Sequence, residues 1–109
     1  MRELALGRRL GGGGMTQQYL AGELSVLLAR LQAVTTNQVS VRDVVQLRRE
    51  AETRPVTALT SVAVHALALA DGLCWDSLAQ GNTAAFTCQA AICAKLRDLG
   101  ICAGWLEER

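Results

Sequence analysis

The feature that most constrains the fold is a regular spacing of large apolar side chains in the first third of the chain. Leucine or valine recurs at positions 20, 24, 27, 31 and 34, at alternating intervals of four and three residues. These intervals match the period of an α-helix and place the side chains on one face, with Glu23 and Arg30 off that face. The pattern predicts a helix over about 16–35, with Thr16 as its N-cap.

Three further segments have helical patterns and are separated by polar or proline-containing breaks. We expect these helices over about 40–53, 56–79 and 83–99, the last with a bent or broken continuation to about 106. The connections between them are short, which favours antiparallel neighbours. The sequence therefore predicts an all-α fold, a small antiparallel four-helix bundle.

Local signals indicate where these helices begin and end. Ser40, with Asp43 three residues later, is an acidic variant of the capping box and predicts the start of the second helix. Pro55 ends that helix and suits the first turn of the third. Gly100, after two basic residues, is typical of a helix C-terminus, and Ile101 beyond it predicts an apolar contact back to Leu96.

The third predicted helix is the most apolar and has two apolar faces. One face carries Leu59, Ala63, Ala66, Ala70, Leu73 and Ser77, and the other carries Val64, Ala68 and Trp75. Two apolar faces predict a central helix that contacts several neighbours. Its most apolar stretch, residues 62–70, is interrupted by His65 and too short to span a membrane, and no export signal is evident, so we expect a cytoplasmic protein with no membrane partner.

The first fourteen residues differ from the rest because they include four consecutive glycines, at positions 11–14, directly before a second methionine. Glycine disfavours helix, so we expect 1–14 to be either a flexible extension or an untranslated segment upstream of a start at Met15. Residues 15–109 are then the single domain. Removing 1–14 would change the formal charge from +1 to −1, since three arginines and one glutamate are lost.

The composition narrows the classes of function. Eleven basic and ten acidic residues leave a formal charge of +1, which argues against a basic nucleic-acid arm, an acidic tail or a membrane-surface patch. Ten of the basic residues are arginine and alanine is abundant, a bias typical of a GC-rich bacterial genome. Aromatic residues make up only 4% of the chain, so the core is built from small side chains and would gain from burial against a partner.

The four cysteines have no spacing typical of a metal site. Cys74, Cys88, Cys93 and Cys102 include no CxxC pair, and the last three diverge on a continuous helix. We therefore expect no metal, and we interpret Cys74, Cys88 and Cys93 as core or boundary residues. Cys102 is expected to be exposed, and a thiol-based redox sensor centred on it is one alternative function.

Catalytic signatures are equally sparse. No phosphate loop, nucleophile elbow, zinc-protease or dinucleotide motif occurs in the sequence. His65 is the sole histidine, and its neighbours Ser61 and Asp71 form at most a helix-surface cluster. We expect no enzymatic activity and no cofactor.

A second alternative is a DNA-binding regulator. Arg42, Arg48, Arg49 and Arg54 lie on or just after the second helix, next to a third helix that would read bases. Acidic residues interleave with these arginines, and the first residues of the third helix, 55–58, offer little to a base edge. A solvated face with intrahelical ion pairs explains the same charges, so nucleic acid is not the expected partner.

The favoured function is a non-enzymatic interaction or assembly module that associates with itself or with another protein. Its binding surface is expected on the leucine face of the first helix or on the C-terminal tail, with exposed aromatic residues as anchors. The candidate contact residues are Tyr19, Leu20, Leu24, Leu27, Leu31, Trp75, Trp105 and Leu106.

Overall fold

A computed structural model describes residues 13–107 of the chain and the side chains of residues 18–107. Its elements in order are the α-helix Gly13–Ala33 (α1), the α-helix Gln38–Thr53 (α2), a short 3-10 helix Val56–Ala58, the α-helix Thr60–Ala79 (α3) and the α-helix Thr83–Ala103 (α4). No strand occurs within residues 13–107. The all-α prediction is confirmed.

The four helices form a compact bundle. Each helix packs against the next along the chain, and α4 returns to pack against α1, while contact across the α1–α3 diagonal is slight. The pair α3 and α4 makes the most extensive contact. Because connections of three to six residues join the helices, consecutive helices run antiparallel. The predicted four-helix bundle is confirmed.

The core is aliphatic and runs along the axis of the bundle. Leu24, Leu28 and Leu31 of α1 are at most 1% exposed, and Val44 and Leu47 of α2 face them across the core. The α3 face predicted to be buried is buried in full, from Leu59 to Ser77. Helix α3 contacts α4 extensively and α2 and α1 less, as predicted for a helix with several neighbours. Its second apolar face, with Val64, Ala68 and Trp75, is nevertheless exposed.

The start of α1 differs from the prediction. The helix begins at Gly13, so Thr16 lies inside its first turn and is not the N-cap. The expectation that the glycine tract stays outside a helix is wrong for Gly13 and Gly14. A glycine costs about 1 kcal/mol relative to alanine in a helix, which a helix anchored by buried leucines tolerates at its end. The rest of the expected extension, residues 1–12, lies outside the described residues.

The start of α2 is set by Asn37. Its Oδ1 accepts hydrogen bonds from the backbone N–H of Val39 at 2.9 Å and of Ser40 at 3.1 Å, so α2 begins at Gln38. The predicted cap at Ser40 is wrong. Asparagine caps as well as serine does, and capping three residues earlier lengthens the helix by most of a turn.

The start of α3 also differs from the prediction. Pro55 opens the 3-10 helix Val56–Ala58, and the α-helix begins only at Thr60. Leu59, between the two helices, is fully buried. Its backbone lies in the right-handed helical region and its carbonyl accepts from the Ala63 N–H at 2.9 Å, so Leu59 keeps the place on the buried face that the sequence predicted.

The end of α4 is a Schellman motif one turn later than predicted. The helix continues without a break through Gly100 to Ala103, and Gly104 adopts a left-handed conformation with φ of 81°. The backbone N–H of Trp105 donates to the carbonyl of Gly100 at 2.8 Å, and that of Gly104 donates to the carbonyl of Ile101 at 3.1 Å. The predicted end or bend at Gly100 is therefore wrong.

The apolar character of α3 is stronger than the sequence analysis assumed. The helix Thr60–Ala79 is long and apolar enough, by length and composition alone, to cross a bilayer. Core helices of globular bundles share this property, and one face of α3 packs inside this bundle. His65, Asp71 and Asp76 lie exposed along the same helix.

Candidate functional site

The exposed face of α3 carries a second regular stripe. Val64, Ala68, Asp71, Trp75 and Leu78 follow one another at intervals of four and three residues, and all five are exposed. We call this stripe the α3 seam. Its spacing is that of a coiled-coil contact and equals the spacing of the buried stripe on α1. Trp75 is 64% exposed and Leu78 is 51% exposed, unusual values for large apolar side chains.

A groove runs beside the C-terminal half of the α3 seam, between α3 and α4. It encloses a cavity of about 270 Å³. Side chains from both helices line this α3–α4 groove: Asp71, Cys74, Trp75, Leu78, Phe86, Ala90, Cys93, Ala94 and Arg97. Apolar residues dominate the set, with one acidic and one basic side chain among them. Such a surface can receive an apolar side chain with charges at the edge to orient it.

The two charges of the groove come from different helices. Asp71 lies on α3 and Arg97 lies on α4, and both side chains are exposed. Although both are described, they form no ion pair with each other. Each is close enough to act on the Cys93 thiol, whose pKa Asp71 raises and Arg97 lowers. Within the described residues neither side chain forms an ion pair, and both lie at the same end of the groove because α3 and α4 run antiparallel.

Two buried thiols line the groove, Cys74 of α3 and Cys93 of α4. Burial raises the pKa of Cys74 and is the main cause that raises the pKa of Cys93 to about 11. The neighbouring Cys74 thiol and Asp71 also raise the pKa of Cys93, and Arg97 lowers it.

Sequence reasoning missed this thiol pair. Cys74 and Cys93 are separated by a helix–turn–helix segment, and no motif links them. The only available signal was the predicted antiparallel hairpin of α3 and α4, which brings distant positions together without specifying which ones. The placement of both residues in the core was expected and is confirmed.

The other two cysteines lie away from this pair. Cys102 is exposed, as expected, and its role as a redox sensor stays a prediction. Cys88 is also exposed, so its assignment to the core or boundary is wrong, because α4 turns that side of its first half to solvent. Within the described residues, no three histidine, cysteine or acidic side chains lie together in a way that could hold a metal ion.

A larger and more polar cleft separates α2 from α3. It encloses about 410 Å³ and is lined by Asp43, Gln46, Leu47, Glu50, Arg54, Ser61, His65 and Leu69. Arg54 pairs with Glu50 at 3.3 Å and donates to the Ser61 hydroxyl at 3.5 Å. His65 and Ser61, both described, share no hydrogen bond, so the histidine is not placed to activate the serine.

The four arginines proposed for DNA binding have different environments. Arg42 and Arg49 are exposed, whereas Arg54 pairs with Glu50. Arg48 is partly buried and its Nη1 donates to Gln32 Oε1 of α1 at 2.7 Å, so the expectation that it faces water is wrong. The α1–α2 contact draws this side chain inward.

The start of α3 at Thr60 presents different side chains from those expected on a base-reading helix. The exposed residues at the beginning of α3 are now Thr60, Ser61 and His65, which can hydrogen-bond, in place of the mostly apolar 55–58. The carboxylates Asp43 and Glu50 line the adjoining cleft and oppose a nucleic acid there. DNA binding stays a prediction.

The structure divides the predicted interaction residues into two groups. Tyr19 and Trp75 are exposed. Trp105 and four leucines of α1 are buried in the core of the chain itself; the leucines are Leu20, Leu24, Leu27 and Leu31. The prediction that these residues form a partner surface is therefore wrong. Three other helices already cover the leucine face, and the Schellman motif folds Trp105 inward. Leu106 is half-buried against Gly100.

The α3–α4 groove thus combines an exposed tryptophan, an apolar lining and unpaired charges of both signs, whereas the α2–α3 cleft is polar and internally paired. No family model, no curated protein and no solved structure matches this chain. The interpretation of the groove rests on its own residues.

Proposed function

We propose that the protein is a non-enzymatic helical assembly module in which two copies pair through the α3 seam and the α3–α4 groove. The observation that supports this proposal most directly is the exposure of Trp75 and Leu78 on the α3 seam, whose spacing equals that of the buried leucine stripe of α1. Contiguous apolar surface of this kind is typical of protein interaction sites. Pairing two copies would bury the α3 seam, as the bundle already buries the leucine stripe of α1.

The charges of the groove favour a second copy of the chain as the occupant. In an interface with two-fold symmetry, every contact between two different residues of the two subunits occurs twice. A two-fold axis that runs along the groove, between α3 and α4, places Asp71 of each copy against Arg97 of the other and keeps the two Asp71 side chains apart. Two opposite-charge pairs then cross the interface, and they disfavour a shifted register.

Trp75 is the expected anchor of the interface. It lines the groove and stands at the seam, so a facing copy can bury it without moving the backbone. Burying the exposed two-thirds of an aromatic side chain of about 200 Å² at about 25 cal/mol per Å² contributes roughly 3 kcal/mol. Buried aromatic anchors commonly dominate the energetics of an interface.

Sedimentation equilibrium over a wide range of concentrations tests this proposal. We expect a monomer–dimer equilibrium whose dissociation constant rises at least about tenfold on Trp75→Ala. Tyr19→Ala is the matched control, because Tyr19 is 66% exposed against 64% for Trp75 but lies on α1, away from the groove. A chain that stays monomeric throughout, or an equal effect of the two substitutions, would overturn the proposal.

A further inference from the structure

The α2–α3 cleft has no part in the proposed pairing, which uses the α3 seam and α4. Helices α2 and α3 make the least extensive contact of all the adjacent helix pairs. Among the described residues, the only hydrogen bond across the cleft joins Arg54 to Ser61, at the end where the chain connects the two helices. The space of about 410 Å³ beyond this bond has the size of a small-molecule site.

The charges of the cleft leave one carboxylate without a partner. Glu50 pairs with Arg54 at 3.3 Å and accepts from the Gln46 amide nitrogen at 3.0 Å, so its charge is compensated. Asp43 forms neither a hydrogen bond nor an ion pair with any described residue. With His65 neutral, two carboxylates and one guanidinium give the lining a formal charge of −1. A ligand with a single positive charge balances this lining.

Gln46 adds a second acceptor next to Asp43. The two residues lie three positions apart on α2 and are therefore neighbours on its surface. The amide nitrogen of Gln46 donates to Glu50, which leaves the carbonyl oxygen of the same amide to accept. A carboxylate beside an amide oxygen suits a primary ammonium group, which has three donors and no acceptor.

Apolar side chains lie beside these acceptors. Leu47 of α2 is buried, Leu69 of α3 is half-buried, and both line the cleft. His65 lies four residues before Leu69 and therefore on the same face of α3. These side chains can cover a hydrocarbon body whose charged end reaches Asp43.

We propose that the α2–α3 cleft binds a small primary amine with an apolar body, of the size of an arylalkylamine. The ammonium group donates to the Asp43 carboxylate and to the carbonyl oxygen of Gln46, and the apolar body lies between Leu47 and Leu69. A carboxylic acid of the same shape is disfavoured, because its negative charge would approach Asp43. A molecule of this size fits within about 410 Å³, which favours it over a segment of another protein.

His65 provides the readout, because it is the only histidine of the chain and lines the cleft. The test follows its imidazole C–H signal by NMR while the full chain is titrated with phenethylamine. We expect a saturable shift with a dissociation constant of about 10 mM or lower. Phenethyl alcohol has nearly the same shape without the charge and should bind at least about tenfold more weakly.

Asp43→Asn tests the role of the carboxylate. This substitution keeps the shape of the side chain and removes its charge, so it should weaken phenethylamine binding at least about tenfold. Asp76→Asn is the matched control, because it removes an exposed carboxylate that lines neither the cleft nor the groove. The control variant should bind the amine as the unsubstituted chain does.

Three results would overturn this proposal: no saturable shift at His65, equal binding of the amine and the alcohol, or equal losses in the two asparagine variants. Trp75→Ala, which is expected to weaken pairing, should leave amine binding unchanged, since Trp75 does not line the cleft. A loss of amine binding in that variant would place the amine at the interface between copies and would also overturn the proposal. Sedimentation and the amine titration can therefore fail independently of each other.

Discussion

At the scale of single residues, two glycines near the end of α4 have different physical roles. Gly104 has φ of 81°, a left-handed conformation that glycine adopts without strain, and it ends the helix. Gly100 is an ordinary helical residue, and a β-carbon there would overlap the Leu106 side chain. Glycine is favoured at position 104 by the backbone conformation and at position 100 by the close approach of Leu106.

Gly100→Ala is therefore expected to destabilise the protein, although alanine is the better helix former. The overlap with Leu106 should lower the free energy of unfolding by about 1–3 kcal/mol, measured by urea denaturation. Gly22→Ala is the control, since a β-carbon at Gly22 meets nothing within 4 Å, and it should stabilise by about 0.5–1 kcal/mol. Equal effects at both positions would contradict the packing role of Gly100.

The Cys93 thiol predicts a loss of stability at alkaline pH. Its pKa is raised from 9.0 to about 11 in the folded protein, chiefly by burial. Above pH 9 the unfolded chain loses this proton and the folded chain retains it, so the stabilising contribution is present below pH 9 and lost as the pH rises through about 11. Cys93→Ser should reduce the decline in unfolding free energy over this interval.

Cys88→Ser is the matched control for that titration, because Cys88 lies on the same helix and is exposed. Its decline should equal that of the unsubstituted chain. Equal slopes for the Cys93 and Cys88 variants would show that ionisation at Cys93 is not coupled to folding.

At the scale of the helices, polar side chains set the ends and the relative positions of the elements. Asn37 begins α2, and Asn82 begins α4 by accepting from the backbone N–H of Ala85 at 3.1 Å. Buried Gln89 of α4 accepts from the Ser77 hydroxyl of α3 at 2.6 Å and donates to the Val34 carbonyl after α1 at 3.2 Å. These bonds satisfy buried polar groups and hold three elements together.

The cap at Asn37 gives a prediction that separates the observed start of α2 from the one expected from sequence. Asn37→Ala should lower the free energy of unfolding by about 1 kcal/mol, because two backbone donors lose their acceptor. Ser40→Ala should change it by less than about 0.5 kcal/mol, as a substitution away from a cap. Chemical denaturation measures both, and a larger loss at Ser40 would place the cap there.

At the scale of the whole molecule, two seams of the same spacing have opposite environments. The leucine stripe of α1 is buried by the other helices, whereas the α3 seam is exposed and only its C-terminal half lies beside α4. A four-helix bundle has one interior, and each helix can direct one face towards it. The second apolar face of α3 is therefore left to a partner, for which we propose a second copy.

The proposed pairing predicts the result of exchanging charges at the groove. Asp71→Arg and Arg97→Asp should each weaken dimerisation, by about fivefold in the dissociation constant, because each places like charges across the interface. The double substitution should restore most of the affinity, since opposite charges face each other again. Sedimentation at low ionic strength measures all four proteins, and a double variant weaker than both singles would contradict the pairing of Asp71 with the partner's Arg97.

Much of the fold could be predicted from the sequence, but the ends of the helices could not. The leucine spacing of α1 and the buried face of α3 were confirmed because they arise from many residues that act together. Helix ends depend on one or two side chains. Asn37 rather than Ser40 caps α2, and Gly104 rather than Gly100 ends α4. The 3-10 helix after Pro55 likewise moved the start of α3 to Thr60, which the apolar pattern did not indicate.

The sequence by itself determined the helical class, the number of helices and the faces that are apolar, because the direction of a side chain on a helix follows from its position in the chain. The tertiary structure decided which apolar face is covered, that Arg48 turns inward, and that Cys74 and Cys93 line the same groove. These outcomes depend on the rotation and depth at which the helices pack. Contacts between distant segments set both quantities, and no local spacing encodes them.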